Sequence, residues 1–114
     1  MMDLFAGLPV SDLDRAVEWY EQLLGAAPSM YPNDTEAVFD VGEHAHLYVE
    51  VLPAKAGHGF ATLFVGDYDE RLAAIAARGL EPVSVETYDN GVRKAIFADP
   101  DGNEVGLGGG PAGD

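Results

Sequence analysis

An internal repeat limits the folds open to this chain more than any other feature of its sequence. Two groups of residues recur at nearly the same separation. The first group recurs after 55 residues and consists of Val10, Asp12 and Asp14, matched by Val65, Asp67 and Asp69. The second recurs after 58 residues and consists of Ala37, Val38 and Phe39, matched by Ala95, Ile96 and Phe97. Two copies of this length are too few for a solenoid, so the repeat predicts a duplicated module.

Each copy contains one amphipathic helix. In the first copy, Ser11 and Asp14 have the spacing of a capping box, and Gly25 stands where a left-handed residue ends a helix. The apolar residues between these signals fall on one helical face, and they are Leu13, Ala16, Val17, Tyr20 and Leu24. In the second copy, Asp67 begins the predicted helix and Gly79 ends it.

Short apolar runs between turn residues predict the strands. These runs cover residues 5–10, 36–41 and 46–51 in the first copy, 60–65, 81–87, 92–98 and 103–107 in the second, and a weaker segment at 30–33. Each copy is therefore a βαβββ unit, and the predicted fold class is α+β with two tandem modules. We expect one domain over 1–107, with modules at about 1–52 and 58–107, and a disordered tail over 108–114.

Charge and composition exclude several classes of function. The 114 residues include six Lys and Arg against twenty Asp and Glu, which gives a net charge of −14. This balance argues against nucleic acid and anionic membranes as partners, and it is explained equally by attraction of a cationic ligand or by a general role in solubility. The chain has no cysteine, which excludes disulfides, thiolate metal sites and cysteine nucleophiles. Without a membrane-length apolar run or a secretory signal, a cytoplasmic location is expected.

The other chemical motifs are weak. Asp99, Asp101 and Asn103 have the spacing of the start of a calcium loop, but Glu104 and Gly110 stand where that loop needs a glycine and an acid. This segment is therefore predicted to be a hairpin turn. No nucleophile elbow and no glycine-rich phosphate loop is present, so we assign no catalytic residue.

The order of these segments is similar to that of a known superfamily. Its markers are Val10-Ser11-Asp12, Trp19-Tyr20 with Leu24-Gly25, Val65 with Asp67, and Asp99-Pro100-Asp101-Gly102-Asn103. Over about residues 5 to 107, their order and spacing resemble the vicinal oxygen chelate superfamily, which contains glyoxalases, extradiol dioxygenases and bleomycin-resistance proteins. The resemblance implies curved half-barrel sheets with the helices outside.

The resemblance also implies where metal ligands would stand. Three of the four ligand positions fall on Phe5, Phe60 and Gly106, which have no metal-binding side chain, and the fourth falls on Tyr48 or Glu50. We therefore expect no metal and no other cofactor. The alternative is a displaced metal site, whose candidate ligands are His46, Glu50, His58 and Glu104.

Aromatic residues at these positions predict an apolar cup with acids at its rim. The expected ligand-binding residues are Phe5, Tyr48, Glu50, Phe60, Phe64, His58 and Glu104, with Met30 or Tyr31 as a further wall. Such a surface suits a flat or cationic organic molecule. The alternative is that these aromatic residues pack a core or a dimer interface.

Within the superfamily, the chain most resembles the metal-free bleomycin-resistance branch. The shared features are the Leu8-Pro9-Val10 turn into the helix, the aromatic residues before the second helix, the acidic charge and the missing terminal glutamate. The resemblance implies a homodimer with drug-binding clefts between subunits, side by side or exchanging a strand near Pro9. The leading hypothesis is a metal-independent small-molecule-binding protein that sequesters a cationic or aromatic drug or metabolite. The alternatives are a metal-dependent lyase, isomerase or dioxygenase, and an accessory module that associates with another protein.

Overall fold

Two copies of one βαβββ module follow each other along the chain, as the repeat predicts. The computed structural model describes residues 1–112. The first module contains β1 (Leu4–Val10), α1 (Leu13–Leu24), β2 (Met30–Asn33), β3 (Glu36–Gly42) and β4 (Ala45–Val51). The second contains β5 (Phe60–Phe64), α2 (Tyr68–Ala77), β6 (Ser84–Thr87), β7 (Arg93–Ala98) and β8 (Glu104–Gly109). Within residues 1–112, neither helix is long and apolar enough to cross a membrane.

Each module forms its own four-stranded sheet. The strand order is β1-β4-β3-β2 in sheet A and β5-β8-β7-β6 in sheet B. The first strand of each module pairs in parallel with the last, and the remaining neighbours pair antiparallel. Because β1 and β5 each have one hydrogen-bonded neighbour, both modules present their first strand as a sheet edge.

One side of each sheet packs against the helices and forms a core that both modules share. On β1, Leu8 and Val10 are buried, whereas Phe5 on the opposite side is half exposed. The same alternation runs along β4, β5 and β7, since successive side chains point to opposite faces. Tyr20 of α1 and Ile75 of α2 belong to the same buried cluster. We call the sides that point away from the helices the open faces of sheets A and B.

The first helix begins with a different cap from the predicted one. Asp12 is the N-cap residue, and its carboxylate accepts a hydrogen bond from the Arg15 amide at 3.0 Å. The predicted capping box at Ser11 is therefore wrong, because the Ser11 hydroxyl instead donates to Asp101 Oδ1 at 2.6 Å. Gly25 ends the helix with a φ of 74°, as the sequence predicts.

The strands lie within two residues of their predicted bounds, except for β6. This strand begins at Ser84 instead of residue 81. Pro82 lies in the missing part and has no N–H to donate to a neighbouring strand, which explains the later start.

The last strand continues beyond the predicted end of the domain. Gly108 and Gly109 are buried in β8 and pair with Lys94 and Arg93 of β7. The prediction of a disordered tail from residue 108 is therefore wrong for these two residues. A Cβ at position 109 would lie 2.4 Å from the Cβ of Tyr68, so only glycine lets the strand pass there. Residues 113 and 114 of the predicted tail lie outside the described residues.

A cluster of hydrogen bonds, which we call the polar junction, fastens the two modules together. Asp99 and Asn103 of module two are both buried. Tyr20 donates its hydroxyl to Asp99 Oδ2 at 2.8 Å, and burial raises the pKa of that hydroxyl. Asn103 donates from Nδ2 to the carbonyl of Pro9 at 2.7 Å and accepts at Oδ1 from the Gly59 amide at 2.8 Å. The predicted hairpin turn therefore also joins module two to module one.

Candidate functional site

The open face of sheet A carries a groove with aromatic walls. Its volume is about 220 Å³, and its lining consists of Phe5, Met30, Pro32, Glu36, Val38 and Tyr48. The strand register brings the central residues together, because Tyr48 on β4 lies beside Gly7 of β1 on one side and Val38 of β3 on the other. With Met30 and Pro32 on β2, the groove therefore spans all four strands of sheet A.

A glycine allows the ring of Tyr48 to lie across β1. A Cβ at position 7 would be 2.5 Å from Cζ of Tyr48, so the ring occupies the space that a side chain would fill. The ring meets Phe5 edge to face, with centroids 6.4 Å apart and planes at 65°. The sequence analysis predicted Phe5 and Tyr48 but missed Gly7. The signal was available, because a residue two positions from Phe5 shares its side of the strand.

Two carboxylates lie on the same face as the aromatic rings, and one of them, Glu36, lines the groove. Glu36 and Glu50 lie directly opposite each other on β3 and β4, and both are partly buried. Asn33 donates from Nδ2 to Glu36 Oε1 at 2.6 Å. Like charges at facing positions repel each other, and a bound cation would relieve that repulsion. This end of the face therefore combines negative charge with the ring of Tyr48.

At the other end of the same face, His46 lies between two carboxylates. Its Nδ1 is 2.7 Å from Asp40 Oδ1, and its Nε2 is 2.9 Å from Asp3 Oδ2. The imidazole stacks on Phe5 with ring centroids 4.3 Å apart. The hydrogen bonds to Asp3 and then Asp40 raise the pKa of His46, and the bond to His46 lowers the pKa of Asp3. Both imidazole nitrogens are thus engaged within the protein.

Sheet B presents exposed aromatic rings above a strand of glycines. Phe60 is 82% exposed and Phe64 is 67% exposed. Gly106 and Gly108 lie on the same face, where a Cβ would be 2.8 Å from Lys94 Cε and 3.2 Å from Phe64 Cδ2 respectively. The side chains of Lys94 and Phe64 therefore lie against the bare backbone of β8. Lys94 is a further residue of this face that the sequence analysis missed.

The predicted site residues occupy three separate places. They are Phe5, Tyr48 and Glu50 on the open face of sheet A, Phe60, Phe64 and Glu104 on that of sheet B, and His58 in the loop between β4 and β5. Of the two further candidates, Met30 lines the groove and Tyr31 does not. Among the described residues, none from sheet B lines the groove of sheet A.

Nearly the whole chain matches one protein family. The profile of the Glyoxalase/Bleomycin resistance protein/Dioxygenase superfamily matches residues 3–107. The chain belongs to this superfamily.

Solved structures show the same relationship. A glyoxalase/bleomycin resistance protein from Catenulispora acidiphila DSM 44928 is 46% identical, with a TM-score of 0.93 over 97% of this chain and 100% of that one. TnmS3, an antibiotic binding protein from Streptomyces sp. CB03234, is 25% identical, with a TM-score of 0.73 over 96% of each chain. A bleomycin-binding protein complexed with bleomycin is 21% identical, with a TM-score of 0.78 over 96% of this chain and 98% of that one, which shows a shared fold. No curated protein matches the sequence significantly.

The superfamily resemblance implies a metal site, and the donor groups of this chain do not fit it. Phe5 and Phe60 present phenyl rings at two of the implied ligand positions, and Gly106 presents bare backbone at a third. Elsewhere in residues 1–112, no three His, Asp or Glu side chains are grouped so that they could hold a metal ion. Three or four such ligands are the usual requirement of a protein metal site.

The displaced metal site is not assembled within one chain either. His46 already shares both ring nitrogens with carboxylates, as described above. Glu50 lies on sheet A and Glu104 on sheet B, while His58 lies in the exposed loop before β5. The structure therefore distributes these four candidates instead of bringing them to one point.

Proposed function

We propose that this superfamily member binds a cationic organic molecule with an aromatic part, without a metal ion, between the open faces of two protomers of a homodimer. The observation that carries the proposal is the groove on sheet A. It places the rings of Phe5 and Tyr48 beside Glu36, and Glu50 lies opposite Glu36 on the neighbouring strand. Aromatic faces and carboxylates attract the same class of ligand, a delocalised or quaternary cation.

The exposed apolar residues of sheet B support the homodimer. Phe60 and Phe64 would be unusual on a monomer, where large apolar side chains clustered on one face mark an interaction site. In a two-fold dimer, sheet B of each protomer can cover the groove of its partner, and the two contacts are equivalent. Lys94 on sheet B would then face the acidic side of sheet A. The predicted residues Phe60, Phe64 and Glu104 would complete the site from the second chain.

Metal independence is part of the proposal and rests on the donor groups. Phenyl rings and bare backbone occupy three of the four implied ligand positions, and both ring nitrogens of His46 are paired with the carboxylates of Asp3 and Asp40. The alternative of a lyase, isomerase or dioxygenase needs a metal centre, for which these residues provide no ligand set. Antibiotic binding by TnmS3 and bleomycin binding by a protein of the same fold favour a ligand of that kind. We place such a sequestering protein in the cytoplasm.

Calorimetric titration with two probes tests the ligand class. The probes are metal-free bleomycin and the planar cation ethidium, with uncharged anthracene derivatives as a comparison. We expect Tyr48→Ala to weaken binding by about tenfold or more, because it removes the ring beside the carboxylates. Tyr88→Ala is the matched control, since Tyr88 is exposed and lies outside the groove. Equal binding by Tyr48→Ala and wild type, or no binding of any probe, would contradict the proposal.

Two further measurements separate the dimer from the metal question. Sedimentation should give a dimer for the wild type and a monomer for Phe60→Glu, because a carboxylate in an apolar interface is costly to desolvate. Elemental analysis after incubation with Ni, Zn, Mn and Fe should give far less than one metal per chain. One tightly bound metal per chain would contradict this proposal and favour the metal-dependent enzyme instead.

A further inference from the structure

A second cavity, larger than the groove, lies between the two modules. Its volume is about 600 Å³, well within the range of small-molecule sites. Leu4 and Ala6 of β1 form one wall, and Leu63 of β5 stands on the other side. The cavity shares Phe64 and Gly106 with the open face of sheet B and His46 with that of sheet A, but it shares no residue with the groove. We call it the inter-module cavity.

The walls of the inter-module cavity are mainly apolar. They include Leu23 and Leu24 of α1, Phe97 of β7, and Val105 and Leu107 of β8. The polar side chains of the lining are Asp40, which is hydrogen-bonded to His46, with His46, Thr62, Arg71 and Arg78. Most of the wall therefore offers a water molecule none of the two to four polar partners that it needs. An apolar molecule is therefore the better occupant of this space.

One face of α2 adds positive charge to this apolar space. Arg71, Ala74, Ile75 and Arg78 all line the cavity, and their spacing of three, four and seven residues puts them on one side of the helix. The chain has six Lys and Arg in total. Two of these six therefore stand at one cavity, in a protein whose net charge is −14.

The two guanidinium groups remain able to bind an anion. Arg78 donates to the carbonyls of Gln22 and Leu23 at the end of α1, and no carboxylate within residues 1–112 forms an ion pair with it. Arg71 donates from Nε to Asp67 at 2.7 Å, with both side chains about half exposed. An exposed pair of this kind is weak, so a carboxylate ligand can compete for Arg71.

We propose that the inter-module cavity binds an apolar organic anion, of the class of medium-chain carboxylic acids. The hydrocarbon part lies between β1 and β5, and the carboxylate lies at the Arg71 and Arg78 side of the cavity. The charge preference is opposite to that of the groove on sheet A, and the two sites share no arginine. The inference therefore does not depend on the proposed function.

Calorimetry with a matched pair of probes tests the charge preference. The probes are decanoate and decyltrimethylammonium, which have the same chain and opposite charge, both below their micellar concentrations. Decanoate should bind about tenfold more tightly, since charge-assisted hydrogen bonds to guanidinium favour the anion. Equal affinity, tighter binding of the cation, or no binding of decanoate would overturn the proposal.

Variants on α2 locate the bound probe. Ala74→Trp puts a large ring into the cavity and should weaken decanoate binding by about tenfold or more, whereas Ala73→Trp is the control on an exposed neighbour that does not line it. Arg71→Gln should weaken decanoate binding severalfold, and Arg15→Gln on α1 should not. Unchanged binding in both Ala74→Trp and Arg71→Gln would contradict the proposal.

Two controls distinguish the other occupants. Tyr48→Ala should leave decanoate binding unchanged, because Tyr48 lines the groove and not this cavity. If decanoate fails to bind and Ala74→Trp converts a dimer to a monomer, a second copy of the chain occupies the cavity instead, and the proposal is wrong. Circular dichroism of each variant confirms that the fold is retained.

Discussion

The two modules meet at two places that the repeat makes equivalent, and different kinds of residue occupy these two ends of the boundary. At one end, Tyr20, Asp99 and Asn103 form the polar junction. Applying the separations of 55 and 58 residues to these three gives Ile75, Val41 and Ala45. All three of these residues line the inter-module cavity. One end is thus closed by buried hydrogen bonds, whereas the equivalent end is apolar and encloses space.

The difference shows how a duplicated fold can fix the arrangement of its two modules at one end and enclose space at the other. Hydrogen bonds between buried groups fix one relative position, because each group left without its partner carries a large desolvation cost. Apolar contacts have no such directional requirement. The polar junction therefore sets how the modules meet, and the other end is free to enclose a ligand.

The largest expected effect comes from making the polar end resemble its counterpart. Asp99→Val introduces the residue type of position 41 and leaves the Tyr20 hydroxyl and the Asn103 amide without their acceptor. We expect the free energy of unfolding to fall by about 4 kcal/mol. Urea unfolding measures this change. A loss below about 1 kcal/mol would mean that the junction does not fix the modules.

A smaller effect is expected at the cavity end. Ile75 is buried but borders the inter-module cavity, so its side chain has fewer packing partners than one in a filled core. Ile75→Ala should cost about 2 kcal/mol, the low end of the range for such truncations. The same urea experiment tests it. A loss above about 4 kcal/mol would show that this end is packed as tightly as the rest of the core.

Removing one hydroxyl from the polar junction should lower the free energy of unfolding by a still smaller amount. Tyr20→Phe keeps the buried ring, and Asp99 still accepts from the amides of Asp101 and Asn103 and from the Asn103 side chain. We expect a loss of about 1.5 kcal/mol, typical of one hydrogen bond to a charged acceptor. Thermal unfolding with Trp19→Phe as a neighbouring aromatic control would measure it. Equal losses of stability for Tyr20→Phe and Asp99→Val would contradict the smaller effect expected for Tyr20→Phe.

The stability of the protein is also expected to depend on pH, through His46 at the cavity end. Folding raises the pKa of His46 above its ordinary value of about 6.5. Protonated His46 therefore stabilises the folded state fully below about pH 6.5, and this stabilisation is lost as the pH rises through the raised pKa. Folding lowers the pKa of Asp3. The contribution of ionised Asp3 to the stability of the folded state is therefore present above about pH 4 and is lost as the pH falls through the lowered pKa.

Melting temperatures across this range test the effect of His46. The difference between wild type and His46→Gln should be largest between about pH 4 and 6.5 and should shrink at higher pH. His58→Gln is the control, since His58 is exposed in a loop. A difference that stays constant from pH 5 to 9 would show that folding does not raise the pKa of His46.

Local patterns predicted the elements of the fold, because periodicity and turn residues are visible within a few positions. The α1 face, the glycine that ends it and the duplicated βαβββ order were all predicted correctly. These features depend on neighbours in the chain, which the sequence displays directly. The placement of Phe5 and Tyr48 on one face instead followed from the superfamily resemblance.

The polar junction and the His46 network were not predictable in the same way. Tyr20 and Asp99 are separated by 79 residues, and Asp3 and His46 by 43. The segment 99–103 looks like an ordinary turn, because its partners lie in the other module. The inter-module cavity was missed because it results from how the modules diverge, which no single segment encodes.

The glycines of β8 have a consequence for how the molecule opens. β8 is a central strand of sheet B, yet three of its six residues, Gly106, Gly108 and Gly109, have no side chain to pack. Glycine also gains the most backbone freedom on unfolding. Sheet B should therefore open locally before sheet A, and its amide protons should exchange with solvent sooner than those of β4. The half of the molecule with the most exposed phenylalanines would then be the more adaptable half when a partner or ligand arrives.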